Sequence, residues 1–340
     1  MASRPPNRRL TRTLLAVLVT ASVAVPVSGA ARPAAVPAPA PTAAAPLRDA
    51  TPAALAERYA TARHDIEAAE RTATAHGDHM RAAALRAMAG RARHFLSFDG
   101  RDGGRSAEVY GDLSRARRIA VLVPGSDTGF ETYGRFRAGA LALQRQLGRE
   151  AATPTAVVAW LGYATPATVS PEAITTGRAD QAAPQLREFI GELNAARPAS
   201  RVVVLCHSYG SVVCARAASA LAVADIVFYG SPGTGYGSAA ALRTRATVWA
   251  GRGAGDWIAD VPHARLQLPF ATLGFGVDPV SREFGARVFP AGRGGHSDYL
   301  KPGSVSLKNL ARIVTGQATA PSGPLAARTG RAAAEKGRHA

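Results

Sequence analysis

Residues 202–211, Val-Val-Val-Leu-Cys-His-Ser-Tyr-Gly-Ser, constrain the fold of this chain more than any other stretch. Four consecutive apolar residues, three of them β-branched, describe a strand covered on both faces, as the inner strands of parallel sheets are. The run breaks at Ser208 and passes directly into helix-forming sequence. A strand that turns so sharply into a helix presents the side chain at the tip of the turn, here Ser208, while strand and helix pack closely beneath it. Close packing requires small residues two places before and two places after the tip. Gly210 satisfies the second position; Cys206 stands where glycine is usual, and cysteine is small enough.

A serine hydroxyl is a weak nucleophile without a base to take its proton. In sheets with such a turn the partners follow in the order serine, acid, histidine. Three histidines lie downstream: His263, His296 and His339. His339 is at the C-terminus, and His263 sits between Pro262 and Ala264 with no strand just before it. His296 follows the β-like run Ala286-Arg287-Val288-Phe289-Pro290 through a glycine-rich stretch, which places it past a strand's C-terminal end, where sites of open α/β sheets assemble. The acid is expected after the preceding strand, residues 246–250, and Asp256 is the choice there. Asp260 and Asp278 are rivals that lie further along the same loop.

The other apolar runs, residues 118–123, 156–161 and 225–229, alternate with helical or turn-rich sequence, which predicts a mostly parallel sheet covered by helices on both faces. The first run ends in Pro124-Gly125-Ser126-Asp127, at the point where such a fold places one oxyanion donor. The other donor is the N–H of the residue after the nucleophile. The expected pair is therefore Tyr209 N–H and Ser126 N–H, with Asp127 as the alternative for the second.

Over residues 95–314 the chain resembles a known family, the actinobacterial α/β-hydrolases long catalogued as a domain of unknown function. The likeness rests on Phe98-Asp99-Gly100 with Glu108-Val109-Tyr110-Gly111-Asp112, Val121-Leu122-Val123-Pro124-Gly125, Trp160-Leu161-Gly162-Tyr163, His207-Ser208-Tyr209-Gly210-Ser211 and His296-Ser297-Asp298-Tyr299. It implies the α/β-hydrolase fold and a Ser208, Asp256, His296 triad; it implies no substrate, because such folds carry many activities.

Around that core the chain divides by composition. Arg4, Arg8, Arg9 and Arg12 precede an apolar stretch, residues 14–25, too short to span a bilayer, and small residues follow at 28–30; residues 1–30 read as a signal peptide, and Arg8-Arg9 admits twin-arginine export. Residues 31–50 are rich in Ala and Pro and are expected to be a linker that packs no core. Thr51 as N-cap and Pro52 as first helical residue open an N-terminal helical segment, residues 51–93, read as one hairpin broken near Gly77. The hydrolase domain is assigned to residues 94–315. Residues 316–340, with Arg328, Arg331, Lys336 and Arg338, read as a disordered basic tail.

The formal net charge of +17 raises the question of nucleic acid. The arginines are spread along the sequence without a dense run, and aromatic residues are only 6%, so base-stacking is not served and no nucleic-acid partner is expected. A basic surface attracted to anionic cell-envelope polymers or lipids is the reading that remains. His76 and His79 beside a helix break are solvated turn residues, so no metal is expected, and no cofactor. Gly233-Thr234-Gly235-Tyr236-Gly237 lacks phosphate-loop spacing and reads as a substrate-side loop.

The two cysteines, Cys206 and Cys214, bracket the turn. In an exported chain they are compatible with a disulfide or, equally in kind, with two small buried apolar residues. Tyr163, Trp257, Phe270 and Phe275 are candidates for an acyl-binding surface. The expectation is a monomeric, secreted or extracytoplasmic serine hydrolase that cleaves an ester, thioester or amide of a small-molecule or acyl substrate. The alternative is a non-catalytic relative that binds a wall polymer or a protein partner.

Overall fold

The computed structural model describes residues 38–43, 45–261, 266–267 and 272–318. Its helices, in chain order, are α1 (Pro52–Ala75), α2 (His79–Met88), α3 (Tyr133–Glu150), α4 (Gly177–Ala196), α5 (Gly210–Ala217) and α6 (Val305–Thr315). The strands are β1 (His94–Asp99), β2 (Arg105–Gly111), β3 (Arg118–Val123), β4 (Thr155–Leu161), β5 (Arg201–His207), β6 (Asp225–Tyr229), β7 (Thr247–Gly251), the short pair β8 (Leu266–Gln267) and β9 (Thr272–Leu273), and β10 (Arg287–Val288). Eight strands form one sheet in the order β1-β2-β4-β3-β5-β6-β7-β10. The β1–β2 hairpin pairs antiparallel to β4, and the strands from β4 to β10 run parallel.

The continuous apolar runs follow from burial on two sides. Successive strand residues face opposite ways, and here they enter two separate cores. Val202, Val204 and Cys206 join Ile119, Val121, Ile226 and Phe228 on one face. Val203 and Leu205 join Ala120, Leu122 and Val227 on the other. Helices α4 and α5 cover the first face, through Leu186, Ile190 and Val213, while α3 and α6 cover the second, through Leu143, Leu147 and Leu310. Each fully buried Val or Leu contributes about 1.5–3 kcal/mol, so neither position of the alternation tolerates a polar residue.

The N-terminal segment forms the expected hairpin and lies against the domain. Thr51 Oγ1 accepts from Ala54 N–H, Pro52 occupies the first turn, and Gly77, with φ +73°, makes the break between helices. Ile66 and Leu85 are fully buried against Phe95 and Phe98 of β1. The stretch before it corrects the linker reading. Leu47 and Ala50 are buried in the main core, Leu47 N–H donates to Glu192 Oε1 at 2.5 Å, and Thr42 Oγ1 to Asp65 Oδ1 at 2.6 Å. Irregular backbone can pack when side chains of neighbouring elements satisfy it, and Glu192, Asp65 and Arg58 do so here. Residues 1–30 and the tail beyond 318 lie outside the described residues. The structure shows a bond between Cys206 and Cys214.

Candidate active site

Ser208 sits in the turn between β5 and α5 with φ +50°, a left-handed conformation that costs a non-glycine residue about 1–3 kcal/mol. Surrounding backbone holds it there. Ser208 N–H donates to Tyr229 O at 3.1 Å, Ser211 N–H to Ser208 O at 2.9 Å, and Ser211 Oγ to Cys206 O at 3.1 Å. A Cβ at Gly210 would lie 2.5 Å from Pro124 O, and one at Gly125 would lie 2.6 Å from Ser208 Cβ. These two glycines let the β3 and β5 turns approach until Ser208 faces the end of β3. Cys206, fully buried, tolerates a side chain at the position usual for glycine because its sulfur is directed to Cys214 of α5.

His296 joins this turn from the loop after β10. Its Nε2 lies 3.0 Å from Ser208 Oγ and its Nδ1 2.9 Å from Asp256 Oδ1. Asp256 is buried at the end of the β7 loop, and its carboxylate also accepts from Ile258 N–H at 2.9 Å and from Tyr299 O–H at 2.5 Å. Burial alone would raise its pKa. The hydrogen bonds from His296, Tyr299 and Ile258 outweigh burial and hold the carboxyl below the usual carboxylate range. An ionised carboxylate can only accept, so Nδ1 of His296 carries the ring proton and Nε2 turns its lone pair towards Ser208.

The loops bearing acid and histidine meet backbone to backbone. A Cβ at Gly253 would be 2.2 Å from Gly294 O, and Ala254 N–H donates to Gly292 O at 2.9 Å. Tyr299 ties them further, because its oxygen accepts from Gly253 N–H at 3.0 Å while its proton goes to Asp256. His207, the residue before the serine, lies with its Nε2 2.9 Å from His296 O. A carbonyl only accepts, so that nitrogen is protonated. Burial against Tyr229 and Tyr299, and then the nearby His296, push the His207 pKa down to about 3, which keeps a second imidazole neutral beside the first.

The turn after β3 is braced from residues 163–168. Tyr163 O–H donates to Pro124 O at 2.7 Å, and Thr168 N–H to Asp127 Oδ1 at 3.0 Å. Asp127 N–H donates to Pro166 O at 3.0 Å, which removes the alternative oxyanion donor. Among the described residues no acceptor takes Ser126 N–H or Tyr209 N–H. Asp260 is exposed, and Asp278 is bound to Arg252 at 2.5 Å and to Val280 N–H at 3.1 Å, so neither rival acid reaches His296 in place of Asp256.

The aromatic residues separate into props and surface. Tyr163 braces Pro124, and Phe275 is buried edge-on to the Tyr209 ring, so neither lines an acyl surface. Both are consumed by packing beneath loops that carry the site. Trp257, 48% exposed, stands with its ring 4.8 Å from that of His296. Phe270 and His263 lie outside the described residues. A cavity of 340 Å³ lies between the N-terminal segment and the β1–β2 edge, where Arg58 pairs with Glu192 and Asp99 with Arg105; it contains none of Ser208, His296 and Asp256.

The sheet order, the strained serine turn and the side chains that converge on it define a domain of the α/β-hydrolase class. Residues 99–266 match the family described as alpha/beta hydrolase. The uncharacterized Mycobacterium tuberculosis protein Rv2079 is 29% identical over 257 residues, covering 66% of this chain and 39% of that protein. A second uncharacterized protein of that organism, Rv0963c, is 33% identical over 135 residues, 36% of this chain and 50% of the relative. This chain thus spans half or less of the length of these relatives. Similar solved structures include a lidless α/β serine hydrolase from Xanthomonas campestris, at 16% identity and TM-score 0.43 over 69% of this chain and 98% of that one. Esterase LipW from Mycobacterium marinum is similar at 14% identity and TM-score 0.41 over 79% of this chain and 92% of its own.

Proposed function

We propose that this hydrolase cleaves an ester, thioester or amide by acyl transfer through Ser208. His296 Nε2 takes the Ser208 proton as Oγ attacks the scissile carbonyl carbon, and the carbonyl oxygen gains the negative charge. Tyr209 N–H and Ser126 N–H receive that oxyanion. His296 returns the proton to the leaving group, and Asp256 stabilises the imidazolium between the two transfers. Water then enters, gives its proton to His296 and releases the acyl group from Ser208, which regains its proton.

The observation that carries this reading is the unbroken series from Asp256 through His296 to Ser208 Oγ, 2.9 and 3.0 Å at its two links. It is supported by the two unused N–H groups beside it. No cofactor enters the scheme. The exposed Trp257 edge suits an acyl or small-molecule substrate. Residues 1–30 would direct export to the envelope or beyond, and the protein would act as a monomer.

A fluorophosphonate probe tests the chemistry, because only an activated serine is phosphonylated. Labelling is expected at Ser208 and is expected to vanish in Ser208→Ala, with hydrolysis of p-nitrophenyl esters reduced by several orders of magnitude and the fold retained. Absence of label on the folded protein would leave the non-catalytic binding reading in its place.

A further inference from the structure

Topology brings eight arginines that lie far apart in the sequence to one pole of the molecule. The N-terminal ends of parallel strands lie opposite the C-terminal ends, and Ser208, Ser126 and Asp256 all follow C-terminal ends. Arg118 opens β3 and Arg201 opens β5, as direct partners in the sheet register. Arg115 and Arg117 occupy the turn into β3, and Arg243 and Arg245 the turn into β7; these four are exposed. The pole continues onto both helical layers. Arg149 is exposed in the last turn of α3 on one face, and Arg197, at the end of α4 on the other, reaches Ala116 O at 2.9 Å.

Few carboxylates stand among them. Asp225 at this pole is buried and already holds Arg201 at 2.6 Å, and Asp112 is exposed near Arg115 and offsets one positive charge. Glu150 ends α3 beside Arg149. At the site pole Asp127 and Asp260 are exposed after the strands, and Asp180, in the first turn of α4, pairs with Arg216 at 2.7 Å. The exposed apolar side chains Val169, Ile174 and Trp257 are at that pole too.

The strand ends from β3 to β7 are three spacings apart, about 14 Å, and the two helical layers widen the array in the second direction. A patch extended in two dimensions suits a planar anionic surface, whereas a linear polyanion would need a groove or a single row. Guanidinium groups pair two N–H donors with phosphate oxygens, which favours headgroup phosphates as the recognised chemistry. We propose that this pole docks the protein on an anionic phospholipid bilayer by electrostatic adsorption, with the Ser208 pole turned outward, away from that surface. The site would then act on a substrate in solution or in the layer above the membrane. This inference stands apart from the catalytic reading.

The experiment is co-sedimentation of the full chain with vesicles of phosphatidylglycerol and phosphatidylcholine, and with phosphatidylcholine alone, across a salt series. Binding is expected on the anionic vesicles only and is expected to weaken steeply with salt. Arg115→Gln with Arg117→Gln, and separately Arg243→Gln with Arg245→Gln, are expected to weaken it about fivefold per arginine removed. Fluorophosphonate labelling of both double variants is expected to proceed at the parent's rate, which checks their folding. The proposal is overturned by no binding to anionic vesicles, by binding that either folded double variant leaves unchanged, or by binding to duplex DNA that exceeds binding to the vesicles.

Discussion

Tyr299→Phe isolates one hydroxyl that joins the acid loop to the histidine loop. The oxygen accepts from buried Gly253 N–H at 3.0 Å and donates to Asp256 Oδ2 at 2.5 Å. Loss of a hydrogen bond to an ionised group costs about 1.5–3 kcal/mol, and an orphaned buried N–H about 1–3 kcal/mol. Asp256 keeps its bonds from His296 and Ile258, so no further penalty arises there. The expected loss is about 4 kcal/mol at neutral pH, or about 8–16 °C in Tm for a domain of this size. Urea unfolding followed by tryptophan fluorescence measures it, with the slope unchanged and the midpoint lowered.

The same variant carries a pH signature. Asp256 has a folded-state pKa below its unfolded value, so its contribution is complete above the unfolded pKa and is lost as pH falls through the folded one. Tyr299 supplies part of that depression, so the gap between parent and variant is expected to narrow as pH falls below about 4. A loss under about 1 kcal/mol at pH 7, or a gap that widens in acid, would refute the account of how the two loops are joined.

Two further outcomes follow from the same geometry. Asp256→Asn removes the negative charge facing His296 and is expected to lower turnover by about four orders of magnitude, whereas Asp278→Asn, which weakens a turn and a pairing with Arg252 away from His296, is expected to keep near-parent turnover; ester kinetics on both variants decide, and a collapse confined to Asp278→Asn would move the acid assignment. Cys206→Leu overfills a fully buried position and is expected to lie about 1–3 kcal/mol below the reduced parent, while Cys206→Gly stays close to it; thermal unfolding under reducing conditions compares them, and an unchanged Tm for the leucine variant would remove the steric argument.

The fold and the order of the site were legible in the sequence for local reasons. Apolar runs such as residues 202–205 and 118–123 announce strands buried on both faces. Ser208 was readable because strand and helix sequence abut at it. Asp256 and His296 were readable because each follows a short strand, and the structure brings both within hydrogen-bond reach of that series. Tyr299 and His207 stood within the motifs that carry the family resemblance but were given no role, because their partners, Gly253 with Asp256 and the His296 carbonyl, lie more than 40 positions away in the chain. The spacing of Tyr299 from His296 does not say that the side chain folds back.

Composition misled where a few long-range contacts outweighed it. Residues 31–50 read as a linker because Ala and Pro carry little to bury, yet Asp65 and Glu192 from distant helices hold the backbone N–H groups of Thr42 and Leu47 and seat Leu47 in the core. The sequence by itself determined the alternation of strand and helix, the turn at Ser208 and the absence of any dense basic run, since these are properties of neighbours in the chain. Only the tertiary structure decided that Cys206 bonds Cys214, that Asp127 gives its N–H to Pro166, and that arginines as far apart as Arg115 and Arg245 share one pole. Parallel strands impose that last result physically: every turn that enters a parallel strand does so at the same end, so arginines carried by separate turns meet there, opposite the side chains that converge on Ser208.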